Sequence, residues 1–196
     1  MMNIVFDYDG VIDKSMDYQV RAFRKFSWKD VSLKDFQDAF AGNIFAGKIF
    51  QWVDPAKYAE FVSEEQSSRT YDDDVKSHLE LIAQNNNIAI CSSSDEKNIR
   101  AALENNGIDE LFTHVMGRES GRDKVEKLER LKLETNNYFV TDTLWDIKDG
   151  KKAWYTTVWI TWWFHERETL ELWSPDYIVD SIQEIYSKIL NWDFKG

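Results

Sequence analysis

Short apolar runs and helical apolar spacing alternate along this chain, and their order is informative. Ile4-Val5-Phe6 is an uninterrupted apolar run, the pattern of a strand buried on both faces. It runs into Asp7 and Asp9, which period-2 geometry would set on one side of the chain, and then into Gly10, where the backbone can turn sharply. From Asp13 to about Ser68 the pattern is helical. Val20, Phe23 and Phe26, then Val31, Leu33, Phe36 and Phe40, recur at roughly helical spacing. The stretch Ala39 to Trp52 interrupts it with two copies of Phe-Ala-Gly, read either as a bend between helices or as a loop of a lid that touches substrate. In the second reading Asn43 and Lys48 are its polar contacts.

From Tyr71 onward helix and strand alternate, which predicts βα units and a parallel sheet. Val75, Leu79 and Ile82 share a helix face ahead of Asn85-Asn86-Asn87, and Ile88 to Cys91 is a second short strand followed by Ser92-Ser93-Ser94-Asp95. Asp95 is a candidate N-cap for a helix with Ile99, Ala102 and Leu103 on one face, stopping at Asn106-Gly107. Phe112 to Met116 is a third strand. After the polar loop Gly117 to Gly121 a helix starts near Asp123 and carries Val125, Leu128 and Leu131. Tyr138 to Thr141, Thr156 to Thr161 and Tyr177 to Val179 are three more strands, and Ile182, Ile185, Tyr186, Ile189 and Leu190 line a closing helix. The expected fold class is α/β: a Rossmann-like parallel sheet of about five to six strands flanked by helices, with an inserted α-helical domain.

Composition narrows the function classes. With 196 residues, 43% of them hydrophobic, the chain can bury a full core and has room for one domain plus an insert. A net charge of −11 repels nucleic-acid backbones and anionic membranes, so neither is an expected partner. The beginning Met1-Met2-Asn3-Ile4-Val5-Phe6 is not a basic, long apolar leader, and no stretch has the length of a membrane span, so a cytoplasmic protein is expected. The single cysteine, Cys91, rules out an internal disulfide or a cysteine-based zinc cluster and reads as a small buried residue. Trp159, Trp162, Trp163, Phe164 and Trp173 read as core or subunit interface, which leaves a monomer or a homodimer open.

Chemistry collects at the strand ends. In an open parallel sheet the carboxyl ends of the strands are where ligands bind. Here they carry Asp7-x-Asp9-Gly10, then Ser92, then Lys124 at the start of a helix where a cation is electrostatically out of place, then Asp142-x-x-x-Asp146. In this order the four resemble the four motifs of the haloacid dehalogenase-like superfamily, and the resemblance covers nearly the whole chain. FVTDTLWDIKDGKKA is similar to the family's fourth motif and the helix after it. SPDYIVDSIQEI resembles the ending of phosphoglycolate phosphatase-like members, and the long helical insert after the first motif corresponds to the C1 type of cap.

That resemblance implies residues 1–13 and 70–196 as the catalytic core and 14–69 as the cap. It implies Asp7 as a nucleophile that takes up a phosphoryl group and Asp9 as the acid and base. Ser92, helped by the backbone N–H of Ser93, would bind a phosphoryl oxygen, and Lys124 would neutralise transition-state charge. Asp7, the Asp9 carbonyl and Asp142 would hold Mg²⁺, while Asp146 would hold a metal-bound water or orient Lys124. Arg118, Asn43 and Lys48 would contact a small phosphorylated metabolite. The activity implied is a Mg²⁺-dependent phosphatase, with a phosphomutase or a non-catalytic binding protein of the same fold as alternatives; a cationic site for a second phosphate, built from Lys48, Arg21 and Arg24, would favour the mutase. The chain departs from the family pattern at three places. Val11 stands where Thr is common; GRDKV replaces a frequent Gly-Lys-Pro, leaving Lys127 as a second candidate for Lys124; and Thr141 stands where Gly, Asp or Glu is usual. Ser92, Ser93 and Ser94 compete for one role, and Ser92 is preferred because it directly follows its strand.

Overall fold

The computed structural model of the protein describes residues 1–40, 51–161 and 174–190. Its centre is a parallel sheet in the order β3-β2-β1-β4-β5-β6, formed by β1 (Asn3–Phe6), β2 (Asn87–Cys91), β3 (Phe112–Met116), β4 (Asn137–Thr141), β5 (Thr156–Ile160) and β6 (Tyr177–Val179). The apolar run Ile4-Val5-Phe6 sits in the middle. Ile4 lies opposite Ile88 on one side and Tyr138 on the other, and all of β1 is buried. A parallel strand covered on both faces has no use for alternation, and so this segment reads as continuous apolar sequence.

Period 2 still divides the two faces. Ile4, Phe6, Ile90 and Val140 point into a core closed by α4 (Asp73–Ala83), α5 (Glu96–Asn105) and α8 (Ile182–Ile185), the last running on into a π-helical turn over Tyr186–Leu190. Val5, Ala89, Cys91 and Phe139 point the other way, against Leu128 and Leu131 of α6 (Lys124–Leu131) and Tyr155. Asp7 continues the β1 ladder, its N–H donating to the Val140 carbonyl at 2.8 Å. It therefore shares the parity of Val5 and faces the α6 side. A further core helix, α7 (Leu144–Lys152), follows β4; its Gly150 packs so closely on Phe139 and Thr157 that an added Cβ would lie about 3 Å from them.

Between β1 and α4 the chain builds α1 (Met16–Phe26), α2 (Leu33–Phe40) and α3 (Pro55–Ser67). These helices have their own apolar cluster of Ala22, Phe23, Val31, Phe36, Val53 and Tyr58, in which Phe23 meets Phe36 and Tyr58 edge to face at 5.5 and 6.4 Å. Asp54 starts α3 by accepting from the Ala56 and Lys57 N–H groups, ahead of a proline whose missing N–H costs nothing at that position. Several contacts tie the cluster to the sheet unit. Arg69, on the exit, pairs with Asp13 on the entry at 2.9 Å and with Asp17 at 3.1 Å, and the hydroxyls of Tyr8 and Tyr71 meet at 2.6 Å. Asn98 of α5 donates to Ser63 of α3 at 2.8 Å.

Two local expectations need correction. Asp95 occupies the N-cap position of α5 but its side chain makes no capping bond; its carboxylate is drawn to Arg118, and Glu119 accepts the Glu96 N–H instead, at 2.9 Å. Strand periodicity does not set where Asp9 lies relative to Asp7, because β1 ends at Phe6. The N–H groups of Ile12 and Asp13 both donate to the Tyr8 carbonyl, closing a tight turn from which the Asp9 carboxylate bonds to Gln19, Gln66 and Ser94. Among the described residues no helix is long and apolar enough to cross a membrane. Cys91 is fully buried, and Trp159 lies in the core with Leu144 and Ile147. Trp162, Trp163, Phe164 and Trp173 lie outside the described residues.

Candidate active site

The carboxyl ends of β1, β2 and β4 and the start of α6 converge on one buried cluster of charge. Lys124 is the first residue of α6, whose N-terminus is capped by Asp123 accepting from Val125 and Glu126. The residue is 6% exposed, and its ammonium lies 2.7 Å from Asp7 Oδ2 and 2.7 Å from Asp146 Oδ2. An ammonium would not settle at the positive end of a helix without such partners, so the misplaced cation is accounted for by two carboxylates. The other oxygen of Asp7 accepts the Tyr8 N–H at 2.8 Å. Thr141 donates to Asp146 Oδ2 at 3.2 Å, and Thr143 caps α7 by accepting the Asp146 N–H at 3.4 Å.

The electrostatics follow from burial. Burial pushes the Asp7 carboxyl up to about 7 against the opposing pull of Lys124, with Asp146 adding to the rise. Burial pushes Asp146 up as well, but the charge of Lys124 together with hydrogen bonds to Asp7, Lys124 and Thr143 holds this carboxyl below the usual range. Two carboxylates at equal distance share one ammonium in a buried site, so their protons are coupled. Lys124 stays charged: burial would lower its pKa, and Asp146 and Asp7 raise it well above the ordinary lysine value.

Asp142, directly after β4, is 3% exposed, and its Oδ1 is buried with no hydrogen-bond partner. Burial, with Asp7 and Asp146 nearby, drives its pKa well above the carboxylate range. The main chain makes way for it. Gly10 has φ +75°, and a Cβ there would lie 1.8 Å from Asp142 Oδ2. Only a glycine meets both the conformation and the close approach.

Asp9 belongs to a different set of contacts. Gln19 of α1 donates to it at 2.9 Å, Gln66 of α3 reaches both oxygens at 3.4 and 3.3 Å, and Ser94 donates to Oδ2 at 2.5 Å. Burial raises its pKa, with the bonds from Ser94, Ser15 and Gln19 working against the rise. Ser92, fully buried, accepts the Ser94 N–H at 3.0 Å through its hydroxyl. Its carbonyl takes a short bond from Lys127, which also reaches the Gly117 carbonyl at 3.3 Å. Lys127 is 1% exposed and pairs with carbonyls rather than acids, so burial lowers its pKa. Between the two candidate lysines, Lys124 is the one against the acids.

Of the residues singled out from the sequence, Asp7, Lys124, Asp142 and Asp146 come together. Asp9 and Ser94 adjoin them on the side of the inserted helices, and Ser93 is partly buried in the same loop. Arg118 stands at the rim with its guanidinium engaged by Asp95 and its N–H on the Ser94 carbonyl. Arg21 and Arg24 are occupied by Glu65 and by the Val31 carbonyl. Asn43 and Lys48 lie outside the described residues. The sequence reading missed Gln19, Gln66 and the bond from Thr141 to Asp146. Gln19 sits four residues beyond Ser15, whose hydroxyl it also contacts at 2.8 Å, a helical spacing that was legible. Gln66 is 57 positions from Asp9, and nothing local marks it.

Among the described residues no group of three or more His, Cys, Asp or Glu side chains forms a ready-made cation cage. Lys124 fills the space between Asp7 and Asp146, and the Asp9 carboxylate is turned toward the inserted helices. A small hard cation does not need such a cage. Mg²⁺ is held by one or two carboxylates plus waters and substrate oxygens, and the unpartnered oxygen of Asp142 beside Asp7 suits it.

A model of haloacid dehalogenase-like hydrolases matches residues 4–160. No curated protein sequence matches the chain. Among solved structures, a haloacid dehalogenase-like hydrolase from Streptococcus pneumoniae superposes with a TM-score of 0.78 at 16% identity, covering 95% of this chain and 97% of its own. A predicted phosphoglycolate phosphatase from Haemophilus somnus gives 0.74 at 20% identity, covering 94% and 96%. A β-phosphoglucomutase from Clostridium difficile gives 0.74 at 17% identity, covering 100% and 98%.

Proposed function

The chain belongs to the haloacid dehalogenase-like hydrolase family, and from that premise we propose that it is a Mg²⁺-dependent phosphatase acting on a small phosphate monoester through a phosphoryl-aspartate on Asp7. The observation that carries this reading is the buried triad in which Lys124 lies 2.7 Å from both Asp7 and Asp146, beside the unpartnered oxygen of Asp142. An acid cluster of this charge cannot receive a phosphate dianion unless cations offset it. Asp7 and Asp142 side chains and the Asp9 carbonyl would hold the metal, which when bound supplies positive charge to the phosphoryl oxygens.

Each remaining step belongs to the protein's own groups. A carboxylate oxygen of Asp7 attacks phosphorus while the bond from phosphorus to the ester oxygen breaks, and Asp9 gives its proton to the departing alkoxide. Asp9 then takes a proton from the water that attacks phosphorus. The acyl phosphate opens, Asp7 returns as a carboxylate and inorganic phosphate leaves. Lys124 stays charged throughout and balances the equatorial oxygens. The inserted helices α1 to α3, whose Gln19 and Gln66 already reach Asp9, act as a cap that limits water and selects the leaving group.

The phosphatase reading is favoured over a mutase by the engagement of Arg21 with Glu65 and of Arg24 with the Val31 carbonyl, which takes up two cations that a second phosphate would call on. The test is hydrolysis of p-nitrophenyl phosphate with and without Mg²⁺, alongside Asp7→Asn. The expected outcome is metal-dependent turnover that falls at least about 10³-fold in the variant, since the nucleophile itself is removed. Wild-type protein that gives no turnover, and no beryllofluoride adduct on Asp7, would overturn the reading.

A further inference from the structure

We infer that Gln66 is a positioning residue for Asp9: from the last turn of α3 its side-chain amide holds the acid's carboxylate in the orientation that delivers a proton to the leaving group. The inference rests on the phosphatase reading above and goes beyond it by assigning a role to the far end of the inserted helices.

Gln66 is 2% exposed in a helix whose neighbouring positions Glu64 and Ser67 lie at the surface or its edge. A glutamine buried this deeply must bond through its amide or cost stability. Its Nε2 spans both Asp9 oxygens, at 3.4 and 3.3 Å, and so sits astride the carboxylate rather than on one end of it. Of the other side-chain donors, Gln19 fixes Oδ1, Ser94 fixes Oδ2, and Ser15 adds a further bond. With both ends pinned from α1 and from the loop after β2, the amide of Gln66 defines the remaining freedom, the tilt of the carboxylate plane. α3 itself is anchored independently, through Asn98 to Ser63 and Asn105 to the Ser67 carbonyl, so the amide is presented from a fixed helix.

General acid catalysis makes this measurable, because its contribution grows as the leaving group becomes more basic. A positioned acid is worth about 10²- to 10⁴-fold when the leaving oxygen needs a proton, and little when it does not. Losing one of several donors removes part of that. Gln66→Met keeps the length and apolar stem and deletes the donors. Its expected effect is a fall in kcat/KM of about tenfold for phenyl phosphate, and less than about twofold for p-nitrophenyl phosphate, whose phenolate departs unaided.

Ser63→Ala serves as the control for a merely structural role. It cuts the α3 to α5 bond without touching Asp9, and is expected to lower the melting temperature while changing both substrates by the same factor. An equal loss on the two substrates in Gln66→Met, or no loss on either, would overturn the inference while leaving the phosphatase reading intact. Absence of wild-type turnover on both substrates, with no beryllofluoride adduct on Asp7, would overturn the two together.

Discussion

Replacing Lys124 by Met tests the central arrangement most directly. The substitution keeps the side chain's length and apolar contact and removes one charge, leaving Asp7 and Asp146 facing each other with side chains only 8% and 12% exposed. At 2.7 Å and an effective dielectric near 20, each ammonium–carboxylate attraction is roughly 6 kcal/mol before desolvation is counted. Desolvation of all three groups consumes much of this, and removal of one partner from a buried ion pair typically costs about 3–5 kcal/mol. Because two carboxylates lose the same partner, the upper half of that range is expected. Urea unfolding at pH 8 with chelator present isolates the protein's own charges from any bound cation. With a urea dependence of about 2.5 kcal/mol per molar, the midpoint should fall by about 1.6–2 M. Adding Asp146→Asn to Lys124→Met removes one of the two stranded charges and should recover about half of the loss. A midpoint within about 0.2 M of wild type for Lys124→Met, or no recovery in the double variant, would refute the claim that this lysine is what makes two buried acids tolerable.

Two further outcomes follow from the same geometry. Gly10→Ala places a Cβ at 1.8 Å from Asp142 Oδ2 and puts alanine at φ +75°; it should cost about 1–2 kcal/mol from the backbone alone, read by urea unfolding, and lower kcat about 100-fold by displacing Asp142 by an ångström or more. Cys91, whose thiol burial pushes up to about 12, should resist iodoacetamide in the native protein at pH 8, where only about one part in 10⁴ is thiolate, and react fully once urea unfolds the chain; rapid native labelling followed by mass spectrometry would contradict its burial.

The sequence by itself determined the sheet, its parallel sense and the positions of the strand-end groups. Strands buried on both faces, such as β1, β2 and β4, announce themselves in largely apolar sequence, and β2, β3, β4, β5 and β6 fall within about a residue of where the sequence places them. Lys124 was legible for the same local reason: a cation at a helix N-terminus is an anomaly that a partner must explain. The tertiary structure decided what these groups touch. The turn over Tyr8 sets where Asp9 lies, and strand periodicity cannot foresee a strand that stops at Phe6. Glu119 caps α5 because the loop after β3 folds over its start, leaving Asp95 to Arg118. Lys127 lies inside, bonded to two carbonyls, although its residue type and its exposed neighbour Glu126 read as surface. Gln66 reaches Asp9 across 57 positions because α3 returns along α1 and packs on α5. Periodicity and end signals are set by the nearest few residues, whereas the surroundings of a carboxylate are set by whatever the chain's return brings beside it, and only packing fixes that.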